Sequence, residues 1–460
     1  MNTVPTTQHA LALNATHDCT ATSWLPSAQR KGCDFPIQNL PYGVFRRQGS
    51  TKDFRVGVAI GDEVLDLAAL SATGLLAGLA ADAGRACCES ALNSFMALGP
   101  SAWQALRHAL FALLQRDADG ATVARVRACL VPQSAVEHRL PTRVGDYTDF
   151  YTSIDHAINV GKLIRPDDPL SPNFQWLPIA YHGRVSSMGV SGQTFHRPMG
   201  QSMTPGASAP VYGPCARLDY ELELAIYIGQ GNPQGTAIAL AQASQHIFGI
   251  GLLNDWSARD HQFWEMAPLG PFLGKNFATT VSPWIVTLEA LAPYRLAWSR
   301  PAAHPQPLPY LEDAGNRAQG ALDIALEVWL DTPQRQSAHL GPQRLTHTSF
   351  KHQYWSIAQM VTQHTVGGCN LQPGDVLGSG TISGPTAAEA GALIELTQGG
   401  RQPLQLDNGE TRAFLQDGDT VILRGCCERS GYARIGFGEC RGQVLPVVAD
   451  QHGTVTALKD

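Results

Sequence analysis

A carboxylate and an imidazole stand seven residues apart in the segment Gly145 to Ala157. The segment is predicted to begin a helix, and seven residues are close to two turns, so Asp149 and His156 should face the same side. A metal ligand beside a general base is the chemistry that this pair allows. The same spacing is also common on a solvated helix face, so the pair by itself leaves both interpretations open.

Two further acids, Glu221 and Glu223, alternate with apolar residues in the stretch from Leu218 to Tyr227. On a strand they project from one face, where their like charges repel each other. A divalent cation between them removes that repulsion, and hard oxygen donors favour Ca²⁺ or Mg²⁺ over Zn²⁺. The alternative is a half-buried strand with a solvated acidic face.

A third segment carries an acid, a guanidinium and an amide: Asp255, Arg259 and Gln262. If this segment is helical, the three side chains lie on one face, either around a ligand or with a simple salt bridge between the first two. A Gly- and Pro-rich run precedes Lys275 and predicts a loop that brings the single positive charge of this lysine to a ligand.

The last segment of this kind runs from Gly380 to Pro385 and is followed by Glu395. Thr381, flanked by glycine, suits contacts to an anion, although such a pattern alone is a weak signal. Glu395 is predicted to lie in an apolar strand, where it needs a partner if it is buried. His156 fits that role, because a carboxylate on one ring nitrogen fixes the tautomer and raises the basicity of the other.

The elements that must position these residues differ along the chain. Residues 1–30 are rich in Thr, Ala and Ser without periodicity and predict a mobile tail. Short alternating apolar runs then predict a small antiparallel sheet or barrel, with strands at Tyr42–Arg46, Arg55–Ile60 and Val64–Leu67. A following helix shows an apolar stripe that should pack on this sheet, formed by Trp103, Leu106, Leu110 and Leu113. Residues 142–460 lack a βαβ rhythm and predict one large, mostly β domain.

Composition narrows the classes of function. The chain has 460 residues, a net charge of −6 and 16% charged residues, so no basic stripe supports nucleic-acid binding. No apolar run approaches the roughly 18 residues of a membrane span. Ten scattered cysteines without metal-ligand spacing predict reduced thiols. A cytoplasmic protein that acts on a small molecule is therefore expected.

Several long motifs occur in order: Asp-Tyr-Thr-Asp-Phe-Tyr from Asp146, Asn-Asp-Trp-Ser-Ala-Arg-Asp from Asn254, and Ser-Gly-Thr-Ile-Ser-Gly from Ser379. Through them the chain resembles the fumarylacetoacetate hydrolase family, in its full-length two-domain form, from about residue 30 to about residue 450. The resemblance implies an SH3-like N-terminal barrel domain over residues 31–141 and a β-roll catalytic domain over residues 142–460. It also implies a homodimer that uses Ca²⁺ or Mg²⁺ to hydrolyse a carbon–carbon bond of fumarylacetoacetate, the last step of tyrosine and phenylalanine degradation.

The resemblance also implies roles for individual residues, carried over motif by motif. The metal ligands would be Asp149, Glu221, Glu223 and Asp255, with Lys275 and Thr279 beside a second cation. His156 would be the base and Glu395 its orienting acid, and the oxyanion would be stabilised by Arg259, Gln262 and Lys275. The substrate would be held by Tyr151, Arg165, Tyr181 and Thr381, together with Arg259 and Gln262.

The sequence departs from the family at Ile154-Asp155, where an Arg-Gln pair is common. One step along a helix turns a side chain by about 100°, so the base at the next position should be retained.

Two other functions remain open at this point. One is a hydrolase or decarboxylase for another small oxo acid, such as an acylpyruvate, although such relatives are typically shorter and lack the region from residue 30 to residue 140. The other is a catalytically silent metal-binding dimer, in which the carboxylates only stabilise the fold. His156 and Glu395 together weigh against the second, because a structural cation needs neither.

Overall fold

The computed structural model describes residues 12–448, which form a mainly β structure with helices. The N-terminal region combines a small antiparallel sheet with a helical layer. Its strands are β1 (Tyr42–Arg47), β2 (Arg55–Ile60), β3 (Glu63–Asp66), β4 (Leu130–Pro132) and β5 (Val136–Arg139). Its helices are α1 (Leu67–Ala72), α2 (Gly78–Ala86), α3 (Asn93–Ala97), α4 (Pro100–Leu114) and α5 (Gly120–Arg127).

The alternating runs of the sequence form the first three strands, each within one or two residues of its predicted bounds. The predicted apolar stripe lies on α4, where Leu106 and Leu110 are fully buried and Trp103 and Leu113 pack at the edge of the same core. Strands β4 and β5 carry too few apolar residues to be recognised by alternation. They are held by pairing with β3 and β1.

The prediction of a mobile tail is wrong for residues 12–30, whereas residues 1–11 lie outside the described part of the chain. The Asn14 amide donates to Glu289 Oε1 at 2.7 Å, and His17 Nε2 lies 2.7 Å from the Glu289 carbonyl. Ser23 Oγ donates to the Leu114 carbonyl at 2.8 Å. This segment is therefore anchored by long-range polar contacts, which leave no apolar periodicity in a sequence.

The larger region follows from residue 142. Its first strands are β6 (Tyr147–Tyr151), β7 (Ile179–His182), β8 (Met188–Val190), β9 (Gln193–His196), β10 (Met199–Ser202), β11 (Val211–Pro214), β12 (Leu218–Asp219), β13 (Leu222–Ile228), β14 (Ile247–Asp255), β15 (Ser257–Ala258), β16 (Thr279–Val281) and β17 (Trp284–Thr287). The later strands are β18 (Arg295–Leu296), β19 (Ala321–Leu322), β20 (Ala325–Asp331), β21 (Gln343–Ser349), β22 (Val376–Gly378), β23 (Leu404–Gln405), β24 (Thr411–Arg412), β25 (Thr420–Cys427) and β26 (Ile435–Leu445). The helices are α6 (Ile154–Ile164), α7 (Ala243–His246), α8 (Arg259–Glu265), α9 (Ala314–Gln319), α10 (Pro333–Ser337), α11 (Ile357–Thr365) and α12 (Leu393–Leu396).

One mixed sheet runs through both regions in the order β4-β3-β2-β1-β17-β14-β13-β22-β6-β7. The N-terminal strands join it because β1 pairs antiparallel with β17. A second sheet, in the order β21-β20-β25-β26-β9, packs its apolar face against the first. Leu252, Leu326 and Phe437, from strands of both sheets, are fully buried in the core between them.

The candidate site residues lie at the centre of the first sheet. Strands β14, β13, β22 and β6 are adjacent, although they come from distant parts of the chain.

No helix within residues 12–448 is both long and apolar enough to cross a membrane.

Candidate active site

Four carboxylates meet over the centre of the first sheet. Asp149 lies on β6, Glu223 on β13, and Asp255 at the end of β14, while Glu221 directly precedes β13. Each offers one oxygen, and these four oxygens all lie within 4.8 Å of one another. The side chains come from residues that are at most 4% exposed. Glu221 and Glu223 share one face, as the alternation predicted.

The strand register explains this convergence. Gly378 on β22 pairs with Asp149 on one side and with Ala225 of β13 on the other. A Cβ atom at Gly378 would lie 2.7 Å from Asp149 Oδ1 and 3.0 Å from Glu223 Oε2. Only glycine leaves the space in which the two carboxylates approach each other.

The carboxylate cluster has the electrostatics of a cation site. Burial, and then the charge of Asp255, raises the pKa of Asp149 well above its usual value. Burial and the neighbouring charges of Asp149 and Glu221 do the same for Glu223. Within residues 12–448, Asp149 Oδ1 and Glu223 Oε1 are buried without a hydrogen-bond donor. Buried acceptors without partners are costly, and an all-oxygen set of acids fits a hard divalent cation.

Two basic side chains border the cluster. Lys275 Nζ donates to Glu221 Oε2 at 2.5 Å and to Asp255 Oδ2 at 2.7 Å. Arg259 Nη1 donates to Glu221 Oε1 at 2.7 Å, and its Nε donates to Asp219 Oδ2 at 2.9 Å. Burial opposes the ionisation of Glu221, but the charges of Lys275 and Arg259 outweigh it and hold its pKa well below the usual value.

The segment that carries Asp255, Arg259 and Gln262 is helical only in part. Asp255 ends strand β14, and α8 begins only at Arg259. Arg259 and Gln262 do share the first turn of α8, where Arg259 Nη1 donates to Gln262 Oε1 at 3.2 Å. The three side chains therefore do not share one helix face, because the buried apolar run before Asp255 pairs as a central strand.

The imidazole and carboxylate pair lies beside this cluster. His156 Nδ1 is 2.7 Å from Glu395 Oε2, and both side chains are at most 3% exposed. Glu395 also accepts hydrogen bonds from Ser383 Oγ at 2.9 Å and from Asn159 Nδ2 at 3.0 Å. Burial opposes its ionisation, but the charge of His156 and these donors outweigh it, so the pKa of Glu395 lies below its usual value.

Two predictions about the elements around this pair are wrong. Asp149 is on a strand and His156 is in α6, which begins at Ile154 with Ser153 as its N-cap, so the two do not share a helix face. Only Thr152 and Ser153 separate β6 from α6, so the two residues lie on consecutive elements of the chain. Glu395 is in the short helix α12 and not in an apolar strand, although its need for a buried partner was predicted from the same sequence.

The other predicted residues are brought together to different degrees. Tyr151 packs its ring edge-on against His156, with ring centres 5.4 Å apart, and Tyr181 OH donates to Asp255 Oδ2 at 2.8 Å. Thr381 Oγ1 is buried and has no partner within residues 12–448. Thr279 Oγ1 lies 3.4 Å from Asp255 Oδ1, so Thr279 borders the cluster without belonging to the four converging acids.

Arg165 is the predicted residue that the structure leaves apart. It ends α6 and is exposed, and among the described residues its only side-chain hydrogen bond goes to the Pro169 carbonyl at 3.3 Å.

Three kinds of site residue were not identified from the sequence. Asp219 is fully buried, pairs with Arg259 and accepts the backbone N–H groups of Leu393 and Ile394. Tyr147 places a buried hydroxyl without a partner near the carboxylates, and its pKa is raised by burial and then by Asp149. Ser383 and Asn159 hold Glu395. For Asp219, the signal in the sequence is an acid next to an apolar strand. The same signal also marks Glu221 and Glu223, which were chosen instead.

Replacing Lys275 with alanine should separate catalysis from cation binding. Lys275 is not one of the four converging acids, so we expect the cation still to bind. Its ammonium is held beside two of these acids, where it can stabilise negative charge that develops during the reaction. Turnover should therefore fall by about a hundredfold or more. The measurement is kcat at saturating cation, with Lys351→Ala, at an exposed lysine paired with Asp323, as the control. An unchanged kcat in Lys275→Ala would remove this lysine from the chemistry.

The chain matches two known family descriptions. Residues 38–141 match "Fumarylacetoacetase N-terminal", and residues 147–445 match "Fumarylacetoacetate (FAA) hydrolase C-terminal". Among curated relatives, the fumarylacetoacetase of Oryza sativa subsp. japonica is 48% identical over 91% of this chain and 96% of its own length. The fumarylacetoacetase of Homo sapiens is 46% identical over 93% of this chain and 99% of its own length. A solved fumarylacetoacetate hydrolase from Exiguobacterium antarcticum is 17% identical, with a TM-score of 0.49 over 88% of this chain and 99% of its own.

Proposed function

This chain belongs to the fumarylacetoacetate hydrolase family, and from that premise we propose that it hydrolyses a carbon–carbon bond of fumarylacetoacetate to give fumarate and acetoacetate. The observation that carries the proposal is the position of a buried histidine–carboxylate pair beside a cluster of four carboxylates and two basic side chains, Lys275 and Arg259. Water attacks the carbonyl carbon of the fumaroyl half, the adjacent carbon–carbon bond breaks, and the electron pair left on the acetoacetate carbon is protonated.

Asp149, Glu221, Glu223 and Asp255 are the residues that would hold Ca²⁺ or Mg²⁺. When bound, such a cation would supply Lewis-acid polarisation of the diketone oxygens and would offset part of the charge of the four acids. The unpartnered oxygens of Asp149 and Glu223 support this assignment, because no protein donor within residues 12–448 satisfies them.

His156 acts as the general base in this proposal. Its Nδ1 is occupied by Glu395, so Nε2 is the nitrogen that takes a proton from the attacking water. Glu395 stabilises the imidazolium that results, and Ser383 and Asn159 fix the orientation of the Glu395 carboxylate.

Arg259, Gln262 and Lys275 stabilise the oxyanion. A lysine ammonium has three N–H donors, and two of those on Lys275 are used by Glu221 and Asp255, which leaves one. Arg259 Nη2 is buried and has no partner in the described chain, so it offers another donor already in place. Donors fixed before the reaction need no reorganisation when the negative charge develops.

Tyr151, Tyr181 and Thr381 are proposed to hold the substrate, with Arg165 as a further contact from the end of α6. Burial raises the pKa of the Tyr151 phenol above its usual value, so its hydroxyl stays protonated and can donate. The Thr381 hydroxyl has no partner among the described residues, so it suits a substrate oxygen.

A cytoplasmic homodimer is the proposed state of the protein. All ten cysteines are free, which suits a reducing compartment. Several large apolar side chains are exposed near the active-site loops, including Leu269, which is 96% exposed, and Phe272, which is 65% exposed. A patch of this kind suits contact with a second copy of the chain.

The direct test is the loss of fumarylacetoacetate absorbance with and without a chelator. We expect hydrolysis by the untreated protein, loss of activity after chelation, and recovery when Ca²⁺ or Mg²⁺ is returned, since the four acids repel one another without a cation. Acylpyruvates serve as comparison substrates. Faster hydrolysis of an acylpyruvate than of fumarylacetoacetate would assign the site to a different oxo acid.

A further inference from the structure

Asp219 is a buried carboxylate that joins two parts of the active site. It ends the short strand β12 and is fully buried. Its Oδ2 accepts a hydrogen bond from Arg259 Nε at 2.9 Å. It also accepts the backbone N–H of Leu393, at 2.8 Å to Oδ1, and that of Ile394, at 3.0 Å to Oδ2. One side chain therefore contacts both a proposed oxyanion donor and the helix that carries Glu395.

The contact with Arg259 orients the guanidinium. Asp219 holds Nε, and Glu221 Oε1 accepts from Nη1 at 2.7 Å, so carboxylates hold two nitrogens of the same group. A guanidinium is planar and rigid, and two fixed nitrogens therefore fix the whole group. Asp219 thus helps to set where the positive charge of Arg259 lies in the site.

The two backbone contacts hold the start of α12, which begins at Leu393. N–H groups at a helix start usually bond to the side chain of the N-cap residue, but here that residue is Ala392, which has no acceptor. Asp219 takes this role from a strand 174 residues earlier in the chain. Glu395 follows Ile394 directly, so the position of the Glu395 carboxylate depends on where Asp219 holds the helix.

Asp219 itself has no capacity left to bind a cation or a substrate. It is not one of the four converging acids. Its two oxygens accept four hydrogen bonds, of which the fourth comes from the Tyr220 backbone N–H at 2.8 Å. A carboxylate has about four lone-pair positions, so all of them are occupied. Asp219 therefore acts through the groups that it holds.

We propose that Asp219 is a positioning residue that keeps Arg259 and Glu395 in the relative geometry that the reaction requires. The inference rests on the proposed function, in which Arg259 stabilises the oxyanion and Glu395 orients His156. Both groups act at the same carbonyl carbon, one on its oxygen and the other on the water that attacks it. A misplacement of about 1 Å can lower turnover by about 10²-fold, so an anchor common to both groups affects the rate.

Asp219→Asn tests this role in the cation-loaded protein. Whichever way the amide is turned, its NH₂ group faces two N–H donors that the carboxylate had accepted. We expect kcat for fumarylacetoacetate to fall by about tenfold to a hundredfold. Cation affinity should stay within a few-fold, since Asp219 is not among the converging acids.

Asp419→Asn is the matched control. Asp419 is also fully buried, and it accepts from Arg412 Nε at 2.9 Å and from the Gln416 backbone N–H at 2.9 Å. Its hydrogen-bond partners in the described chain are not candidate site residues. Both variants should lose stability, but Asp419→Asn should keep its kcat when the rate is expressed per folded molecule.

Double variants separate positioning from an independent effect. The losses of kcat in Asp219→Asn and Glu395→Gln multiply in the double variant if the two residues act independently. If Asp219 places Glu395, the double variant should lose at least about threefold less than that product. The same result is expected for Asp219→Asn combined with Arg259→Lys, because lysine lacks the Nε–H that Asp219 accepts.

Asp219→Glu is a second variant in case Asp219→Asn does not fold. It keeps the charge beside Arg259, but its extra methylene displaces the carboxylate, so kcat should fall in this variant as well. Lower kcat in a folded Asp219 variant, unchanged kcat in Asp419→Asn and losses that do not multiply support the proposal.

Three results would overturn the positioning role. They are an unchanged kcat in a folded Asp219 variant, losses that multiply fully in both double variants, and failure of both Asp219 variants to fold, which would assign the residue to stability. Hydrolysis by the unmodified protein without an effect at Asp219 refutes this role alone. An unmodified protein that does not hydrolyse fumarylacetoacetate refutes the proposed function, and the positioning role with it.

Discussion

Replacing His156 with alanine should lower the hydrolysis of fumarylacetoacetate by about 10²–10⁴-fold, the range typical of a lost general base. The imidazole is the only group of the buried pair that can take a proton from water, because the Glu395 carboxylate is already held by three donors. His156 is not among the four converging acids, so cation affinity should stay within a few-fold of the unmodified protein. The measurements are kcat and a cation titration on the same variant.

Glu395→Gln is the companion to this variant. The amide can still hold Nδ1 in place, but it no longer stabilises the imidazolium, so its loss of kcat should be smaller than that of His156→Ala. His196→Ala is the control, since that histidine is exposed and, among the described residues, its ring forms a hydrogen bond only with the Pro446 carbonyl. A loss in Glu395→Gln as large as that in His156→Ala would mean that the carboxylate itself takes the proton.

The second large effect is expected from Asp149→Ala. This change removes one of four oxygens that lie within 4.8 Å of one another, so cation affinity should fall by more than the roughly 10–100-fold typical of losing an outer hydrogen-bonding partner. Hydrolysis should fall with it. Excess Mg²⁺ or Ca²⁺ should restore part of the activity, which distinguishes this variant from His156→Ala.

The control for this variant is Asp146→Ala, an exposed aspartate three residues earlier in the chain. Its cation affinity and kcat should match those of the unmodified protein. If Asp149→Ala bound the cation as tightly as Asp146→Ala does, Asp149 would not be a ligand, and the cation would be held by the remaining acids.

The sequence by itself determined the features that depend on neighbouring residues. Glu221 and Glu223 share a face because side chains alternate along any strand, and the α4 stripe is buried because its residues recur with the period of a helix. The ordered motifs determined the family and, with it, the reaction. The need of Glu395 for a buried partner could also be inferred, because an isolated carboxylate is costly in an apolar setting.

Only the tertiary structure decided how these residues meet. Asp149 reaches Glu223 because β22 inserts Gly378 between β6 and β13, and pairing between strands so far apart in the chain leaves no periodic signal. His156 meets Glu395 across 239 residues, and Asp219 meets Arg259 across 40. The contacts of Asp219 with the start of α12 were equally hidden, because a sequence shows which groups can form hydrogen bonds and only the folded chain shows which of them meet.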